Sequence, residues 1–164
     1  MSTNFFRASA LLAAALLAAT GVQAQTGPVS KSTCVVTGGT LMEAAGDREG
    51  HFIQASAGTC SIEGGAFSGG VMTQNSIWDS DGPKATLTAG NGVIRGPGSI
   101  AVYQTMGGTR SLVVKDGKVV GWTAAGRVAY PIATGAFAAA AGKTYSWTAR
   151  LTGSNQYIIE SSPE

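Results

Sequence analysis

The amino-acid sequence predicts an all-β domain, a small antiparallel closed β-barrel of about eight strands. Short segments with apolar–polar alternation or β-branched residues recur along the chain, and glycine-rich turns separate them; 24 of the 164 residues are glycine. No long amphipathic helical pattern interrupts these segments. A barrel pairs its own edge strands, and glycine eases the bending that closure requires. A two-sheet sandwich is the alternative.

Residues 1–24 have the features of a cleaved secretory signal peptide. Arg7 supplies the positive charge, residues 8–19 are apolar, and residues 22–24 form a small-x-small cleavage site. The sequence therefore predicts export to the periplasm or the exterior, with a single β-barrel domain over residues 25–164. A retained anchor is the alternative, but a spanning helix needs roughly 20 apolar residues, so we expect no membrane span after cleavage.

The charge balance argues against a nucleic-acid partner. The chain has 11 Lys+Arg and 9 Asp+Glu, and only 12% of its residues are charged. Polyanion binding needs a basic run or stripe, whereas the arginines after the leader are scattered singly. This composition favours apolar or neutral partners, and nothing in the sequence indicates a cofactor. The scattered arginines are Arg48, Arg95, Arg110, Arg127 and Arg150.

Cys34 and Cys60 are the two cysteines, and an exported chain makes a disulfide between them the expected state. In the chain-entropy model a loop of this length stabilises the fold by roughly 3–4 kcal/mol. The alternative is a metal or redox pair. A closed zinc site wants four ligands, but His51 is the one histidine and there is no Cys-x-x-Cys motif, so no metal is expected.

The first half of the domain alternates strands and breaks. We expect Leu41–Glu49 to be a loop with room for one helical turn, because it is charged and lacks alternation. Gly90-Asn91-Gly92 is expected to turn the chain. The predicted strands are Thr33–Thr37, Gly50–Glu63, Gly69–Asp79, Lys84–Ala89 and Val93–Arg95, with a turn at Ser80–Pro83.

The strongest local signal lies in the second half. Asp116-Gly117 separates two valine pairs and has type I′ hairpin chemistry. Strands are predicted at Ser99–Met106, Ser111–Lys115, Gly126–Ile132, Lys143–Thr152 and Gln156–Glu160, with Gly107-Gly108 between the first two. Residues 138–141 are all alanine, which favours a single helical turn as the alternative there.

Alternation is clearest in the strand after Lys143. One face carries Tyr145, Trp147, Ala149 and Leu151, and the intervening residues are polar. This pattern predicts a strand with its apolar face towards the core.

The segment Tyr130–Ala138, followed by Gly142–Thr148, resembles the A-T-G-x-F-A turn of allene oxide cyclase-like and dirigent-like β-barrels. The resemblance implies an eight-stranded antiparallel barrel with an apolar central cavity for a hydrophobic small molecule. Enzymatic members of that family carry out cyclisation or stereocontrol inside the cavity, so the resemblance implies that such chemistry is an option for this chain. No catalytic residue of the family is placed on this sequence.

The function expected from these features is binding of a small apolar molecule in an aromatic-lined cavity. The alternatives are a cofactor-free isomerase or cyclase acting in that cavity, and a structural or interaction protein whose barrel is filled by its own side chains. The candidate ligand-binding residues are the aromatics Trp78, Tyr103, Trp122, Tyr130, Tyr145 and Trp147.

Catalysis would need an ionisable group inside the cavity. Asp79 is the first candidate, because burial beside Trp78 would raise the pKa of its carboxyl. His51 and Arg127 are further candidates, and Arg95 and Gln104 are possible polar anchors. For each of these side chains, an ordinary surface group is the simpler interpretation.

Overall fold

A computed structural model describes residues 29–164 as a closed antiparallel barrel of eight strands with one additional strand. The predicted signal peptide, its cleavage site and the predicted start at residue 25 lie outside the described residues. The strands are β1 (Ser30–Val36), β2 (Leu41–Ala44), β3 (His51–Glu63), β4 (Val71–Asp81), β5 (Lys84–Gly96), β6 (Ser99–Lys115), β7 (Lys118–Ala133), β8 (Thr144–Gly153) and β9 (Gln156–Pro163).

Strand β1 closes the barrel. The chain winds up and down from β3 to β9, each strand pairing with the next, and β1 lies between the two ends of this series, pairing with β9 on one side and β3 on the other. β2 follows β1 along the same edge of β3 but pairs with β3 alone in the part of the chain described. It is the additional strand.

The two ends of the barrel differ. At one end, here called the mouth, β4–β5, β6–β7 and β8–β9 are joined by tight turns of two residues. At the other end, here called the floor, two connections contain short 3₁₀ helices, Gly65–Phe67 and Gly135–Ala140. These helices bury Phe67, Phe137 and Ala140 beneath the barrel.

The floor is packed with aromatic rings. The ring of Phe67 lies 4.5 Å from that of Tyr130 and 5.6 Å from that of Phe137, measured between centroids. Tyr145 contacts both Phe67 and Tyr130, with centroids 5.7 and 5.1 Å away. The Cys34–Cys60 disulfide, fully buried, joins paired residues of β1 and β3 next to this cluster and confirms the predicted disulfide. The floor is therefore a closed core.

The Asp116-Gly117 hairpin and the two-faced strand are confirmed. Asp116 and Gly117 have φ of 52° and 72°, the left-handed values that a type I′ turn requires, between β6 and β7. In β8, Tyr145 and Ala149 are buried while Ser146, Thr148 and Arg150 are exposed. The alternating faces of the sequence are thus the inner and outer faces of the barrel wall.

Three expectations about strand boundaries were wrong. Leu41–Ala44 is a strand, since backbone pairing with β3 compensates for its lack of alternation. Gly90-Asn91-Gly92 lies inside β5 and Gly107-Gly108 inside β6, so both stretches are continuous strands. At Gly92 the missing side chain makes room for a ring: a β-carbon there would come within 2.5 Å of the Tyr103 hydroxyl.

Three of the four alanines lie in the 3₁₀ helix Gly135–Ala140, so the alternative of a short helical turn is confirmed there, and Ala141 follows the helix. Within residues 29–164 no helix has the length and apolar character that crossing a membrane would demand.

Candidate functional site

A cavity of about 260 Å³ runs through the barrel interior from the floor to the mouth. One wall is apolar and consists mainly of β5, β7 and β8, where the inward residues Leu87, Ala124, Val128, Ala149 and Leu151 are small or aliphatic. Small side chains at these positions leave the space that larger ones would fill.

Five of the six predicted aromatic residues line this cavity: Trp78, Tyr103, Trp122, Tyr130 and Trp147. The sixth, Tyr145, is buried in the floor cluster against Phe67 and Tyr130 and does not face the open space. Tyr157, which was not among the six predicted residues, also lines the cavity, and its ring lies 5.6 Å from that of Trp122.

The opposite wall is polar and belongs to β3 and β4. Gln54 and Ser56 of β3, and Gln74 and Ser76 of β4, all line the cavity at alternate positions along their strands. Ser56 Oγ lies 2.9 Å from Ser76 Oγ, which in turn accepts a hydrogen bond of 3.1 Å from Trp78 Nε1. The cavity is therefore amphipathic, with a polar strip on one side.

The tyrosines along the cavity remain neutral donors and acceptors. Gln74 donates to the hydroxyl of Tyr157, and burial raises the pKa of Tyr157 to about 12. Burial also raises the pKa of Tyr103 and Tyr130, with the neighbouring tyrosines adding to the effect. None of the three hydroxyls is poised to lose its proton near neutral pH.

Arg110 is the charged residue of the cavity wall. It lies on β6 near the mouth and donates through Nη2 to Gln54 Oε1 at 2.6 Å and to Ser80 Oγ at 3.1 Å. Its guanidinium carbon stands 4.9 Å from the centre of the Trp78 ring, within cation–π range. Burial lowers the pKa of Arg110, but a guanidinium stays charged at any physiological pH.

Ser30 and Ser32 of β1 are buried and also line the cavity. Ser30 Oγ has no hydrogen-bond partner among residues 29–164, although the side chain is only 1% exposed. A buried hydroxyl without a partner is costly, so this atom is a free polar contact for a molecule in the cavity.

The structure brings His51 and Asp79 together, but on the outer face of the barrel. His51 Nε2 lies 2.7 Å from Asp79 Oδ1, and His51 Nδ1 is hydrogen-bonded to Asp47. Arg48 of the same loop pairs with Asp47 and with Asp81, at 2.5 and 2.6 Å. This outer cluster ties the β2–β3 loop to the mouth end of β4.

The expectation that Asp79 would be a buried acid inside the cavity is therefore not met. Trp78 points inward, so alternation along β4 directs Asp79 outward, and its side chain is 42% exposed. Arg127 also lies outside the cavity, where Nε and Nη2 donate to Glu164. Arg95 and Gln104 are exposed and do not line the cavity either.

No group of three or more His, Cys, Asp or Glu side chains in the described part of the chain is arranged to hold a metal ion. The sequence did not identify the polar residues of the cavity wall, among them Gln54, Gln74, Ser76, Arg110 and Tyr157. The signal for some of them was the spacing Gln74-x-Ser76-x-Trp78, which puts the polar residues on the same face as the tryptophan.

Comparisons with protein-family models, with curated proteins and with solved structures found no match for this chain. The role of the cavity is therefore inferred from the geometry of the barrel.

Proposed function

We propose that this protein binds a small, largely apolar molecule in its central cavity. The observation that supports the proposal is the cavity itself: about 260 Å³ between an apolar wall with aromatic rings and a narrow polar strip. Small-molecule sites typically combine an apolar lining with a few polar groups that set orientation. The Ser30 hydroxyl, which has no hydrogen-bond partner among residues 29–164, adds a polar contact.

The volume argues against the alternative of a barrel filled by its own side chains. A packed interior has few voids larger than a water molecule. Here the alanines and serines that face inward leave a continuous space instead, while the floor beneath it is densely packed. A compact molecule of one or two rings matches this space.

The alternative of a cofactor-free isomerase or cyclase has weaker support. It rests on the resemblance to allene oxide cyclase-like and dirigent-like barrels. The three candidate groups Asp79, His51 and Arg127 are turned away from the cavity, and the ionisable groups that line it are Arg110 and the tyrosines. Such a site is better suited to holding and orienting a molecule than to exchanging protons with it.

Export of the protein is proposed on two grounds. The N-terminal 24 residues have the pattern of a signal peptide, and the disulfide is typical of an oxidising compartment. Expression of the full chain in a bacterial host, followed by fractionation and mass spectrometry, tests this. We expect a periplasmic protein that starts at Gln25; an uncleaved chain in the cytoplasm would contradict export.

Ligand binding is tested with 1-naphthylamine, a neutral two-ring probe whose fluorescence shifts in apolar sites. Ala124→Leu places a larger side chain into the cavity, whereas Ala125→Leu makes the same change one residue later on the outer face. We expect the first variant to weaken probe binding by about tenfold or more and the second to leave it unchanged. Absence of binding by the unmodified protein, or equal binding by both variants, would refute the proposal.

A further inference from the structure

Arg110 is the one charged side chain on the cavity wall described in residues 29–164, and no Asp or Glu lines the cavity. The remaining lining residues are apolar, aromatic, hydroxyl or amide side chains. The electrostatic character of the cavity is therefore that of a single positive charge near the mouth.

This positive charge has no counter-ion among the residues that the structure describes. The ion pairs among the described residues involve Arg48, His51 and Arg127, all on the outer surface, and none involves Arg110. Nη2 donates to two neutral acceptors, the Gln54 carbonyl oxygen and the Ser80 hydroxyl. Nε and Nη1 have no hydrogen-bond partner in the described structure.

The neighbours of Arg110 hold it in place. Trp78 packs against the guanidinium, and Gln54 and Ser80 anchor Nη2 from β3 and β4. A guanidinium held this way loses little side-chain entropy when it binds a further group. Its partial burial removes water that would otherwise solvate the charge, which makes an anionic partner more favourable.

We infer that the ligand is an amphipathic carboxylate whose ring-sized apolar body lies in the cavity and whose carboxylate is bound by Arg110 at the mouth. This inference rests on the proposed binding function. The closed aromatic floor and the small volume favour a compact body, and the position of Arg110 requires the charged group at the mouth end. The hydroxyl of Ser30 is available to a polar substituent elsewhere on that body.

The test uses two probes with the same ring system, 2-naphthoate and 2-naphthalenemethanol, near neutral pH, with isothermal titration calorimetry as the readout. The unmodified protein should bind the naphthoate at least about tenfold more tightly than the alcohol, because charge-assisted hydrogen bonds are the stronger ones. Arg110→Gln should remove this preference and leave affinity for the alcohol within about twofold.

Two control variants accompany Arg110→Gln. Arg150→Gln removes an exposed arginine on the outer face of β8 and should change neither affinity. Arg110→Lys keeps the charge but not the planar geometry, so it should retain part of the preference for the naphthoate. If Arg110→Gln does not fold, Arg110→Met takes its place, because it also removes the charge while keeping a long side chain against Trp78.

The outcomes separate the two proposals. Equal affinity of the unmodified protein for acid and alcohol would overturn the carboxylate inference while leaving the binding function intact. Preference for the acid that survives in Arg110→Gln would also overturn it, since the charge would then lie elsewhere. If the unmodified protein binds neither of the two naphthalene probes nor the neutral naphthylamine, both the carboxylate inference and the proposed binding function are overturned.

Discussion

The floor and the mouth of this barrel are built from the same alternating strands but have opposite interiors. At the floor, Phe67, Tyr130, Phe137 and Tyr145 fill the space with rings in mutual contact. Towards the mouth the same strands turn small, aliphatic or neutral polar side chains inward, apart from their tryptophans and Arg110, and a cavity remains. One end is a closed core, and the other holds the proposed binding site.

The difference shows that the size of the inward residues, not the strand pattern, decides whether a small barrel is filled. β7 and β8 pass through both halves. Near the floor they contribute Tyr130 and Tyr145, and further along they contribute Ala124 and Ala149. Two alanines in place of two aromatics account for much of the open space between these strands.

The largest expected effect is the loss of stability when an aromatic ring is removed from the floor. Phe137→Ala should destabilise the protein by about 3–5 kcal/mol, because a ring that is 97% buried leaves a void among packed neighbours. Leu87→Ala in the cavity wall should cost about 2 kcal/mol, since one side of Leu87 already faces open space. Urea unfolding of both variants measures this. Equal losses would contradict the contrast between the two ends.

Removal of the disulfide tests whether β1 needs a covalent bond to β3 to close the barrel. Replacing Cys34 and Cys60 by alanine should lower the free energy of unfolding by about 3–4 kcal/mol, because their separation of 26 residues closes a long loop. The unmodified protein under a reducing agent serves as the control, since it keeps both sulfur atoms. Equal stability with and without the reducing agent would show that β1 is held by backbone pairing alone.

A substitution at Gly126 tests whether the Trp147 ring lies against the backbone of β7, between the floor and the mouth. A β-carbon there would come within 2.3 Å of the Gly107 carbonyl oxygen and 2.6 Å of Trp147 Cζ2. Gly126→Ala should destabilise the protein by about 1–3 kcal/mol. Gly39→Ala is the matched control, because nothing lies within 4 Å of its β-carbon. Similar melting temperatures for both variants would argue against the ring placement.

The smallest effect is expected at the mouth, in the outer cluster. Hydrogen bonds to Asp47 and Asp79 raise the pKa of His51 above its usual value. The stability that this adds is fully present below the unfolded pKa of about 6.5 and is lost as the pH rises through the higher folded value. His51 is the single histidine, so its proton NMR titration is unambiguous.

The control for this titration is His51→Gln, whose stability should vary less with pH across the same window. The interaction is at the surface, so the change should be small and weaker at high salt. A His51 pKa at or below its usual value would contradict the hydrogen bonding described here.

Much of the fold could be predicted from local pattern. The Asp116-Gly117 turn follows from the left-handed backbone that these residues tolerate, and the two faces of β8 follow from its alternation. The continuity of β5 and β6 could not. Gly90, Gly92 and Gly107 have the local chemistry of turns, but pairing with neighbouring strands keeps them inside β5 and β6. Gly92 pairs on both sides and has a tyrosine ring against it, whereas Gly107 pairs with β7 at a shift of register.

For the candidate site, the sequence identified aromatic residues but not the polar ones. Alternation shows that Trp78 and Asp79 face opposite ways without showing which faces inward. In the sequence, Arg110 looks like any other isolated arginine. Only the folded barrel brings its guanidinium over the Trp78 ring and within hydrogen-bond distance of Gln54 and Ser80. The contacts that distinguish it join residues 30 and 56 positions apart.

By itself, the sequence predicted that the domain is all-β and that Cys34 and Cys60 form a disulfide, and it placed most of the candidate aromatic residues on strands with two distinct faces. Only the tertiary structure decided which of those faces is buried, where the barrel is filled and where it is empty, and that a lone arginine lies inside it. The physical reason is the separation along the chain over which each effect acts. Turn chemistry and alternation act between neighbours in the chain, whereas a cavity and its charge exist only after strands distant in sequence have closed around them.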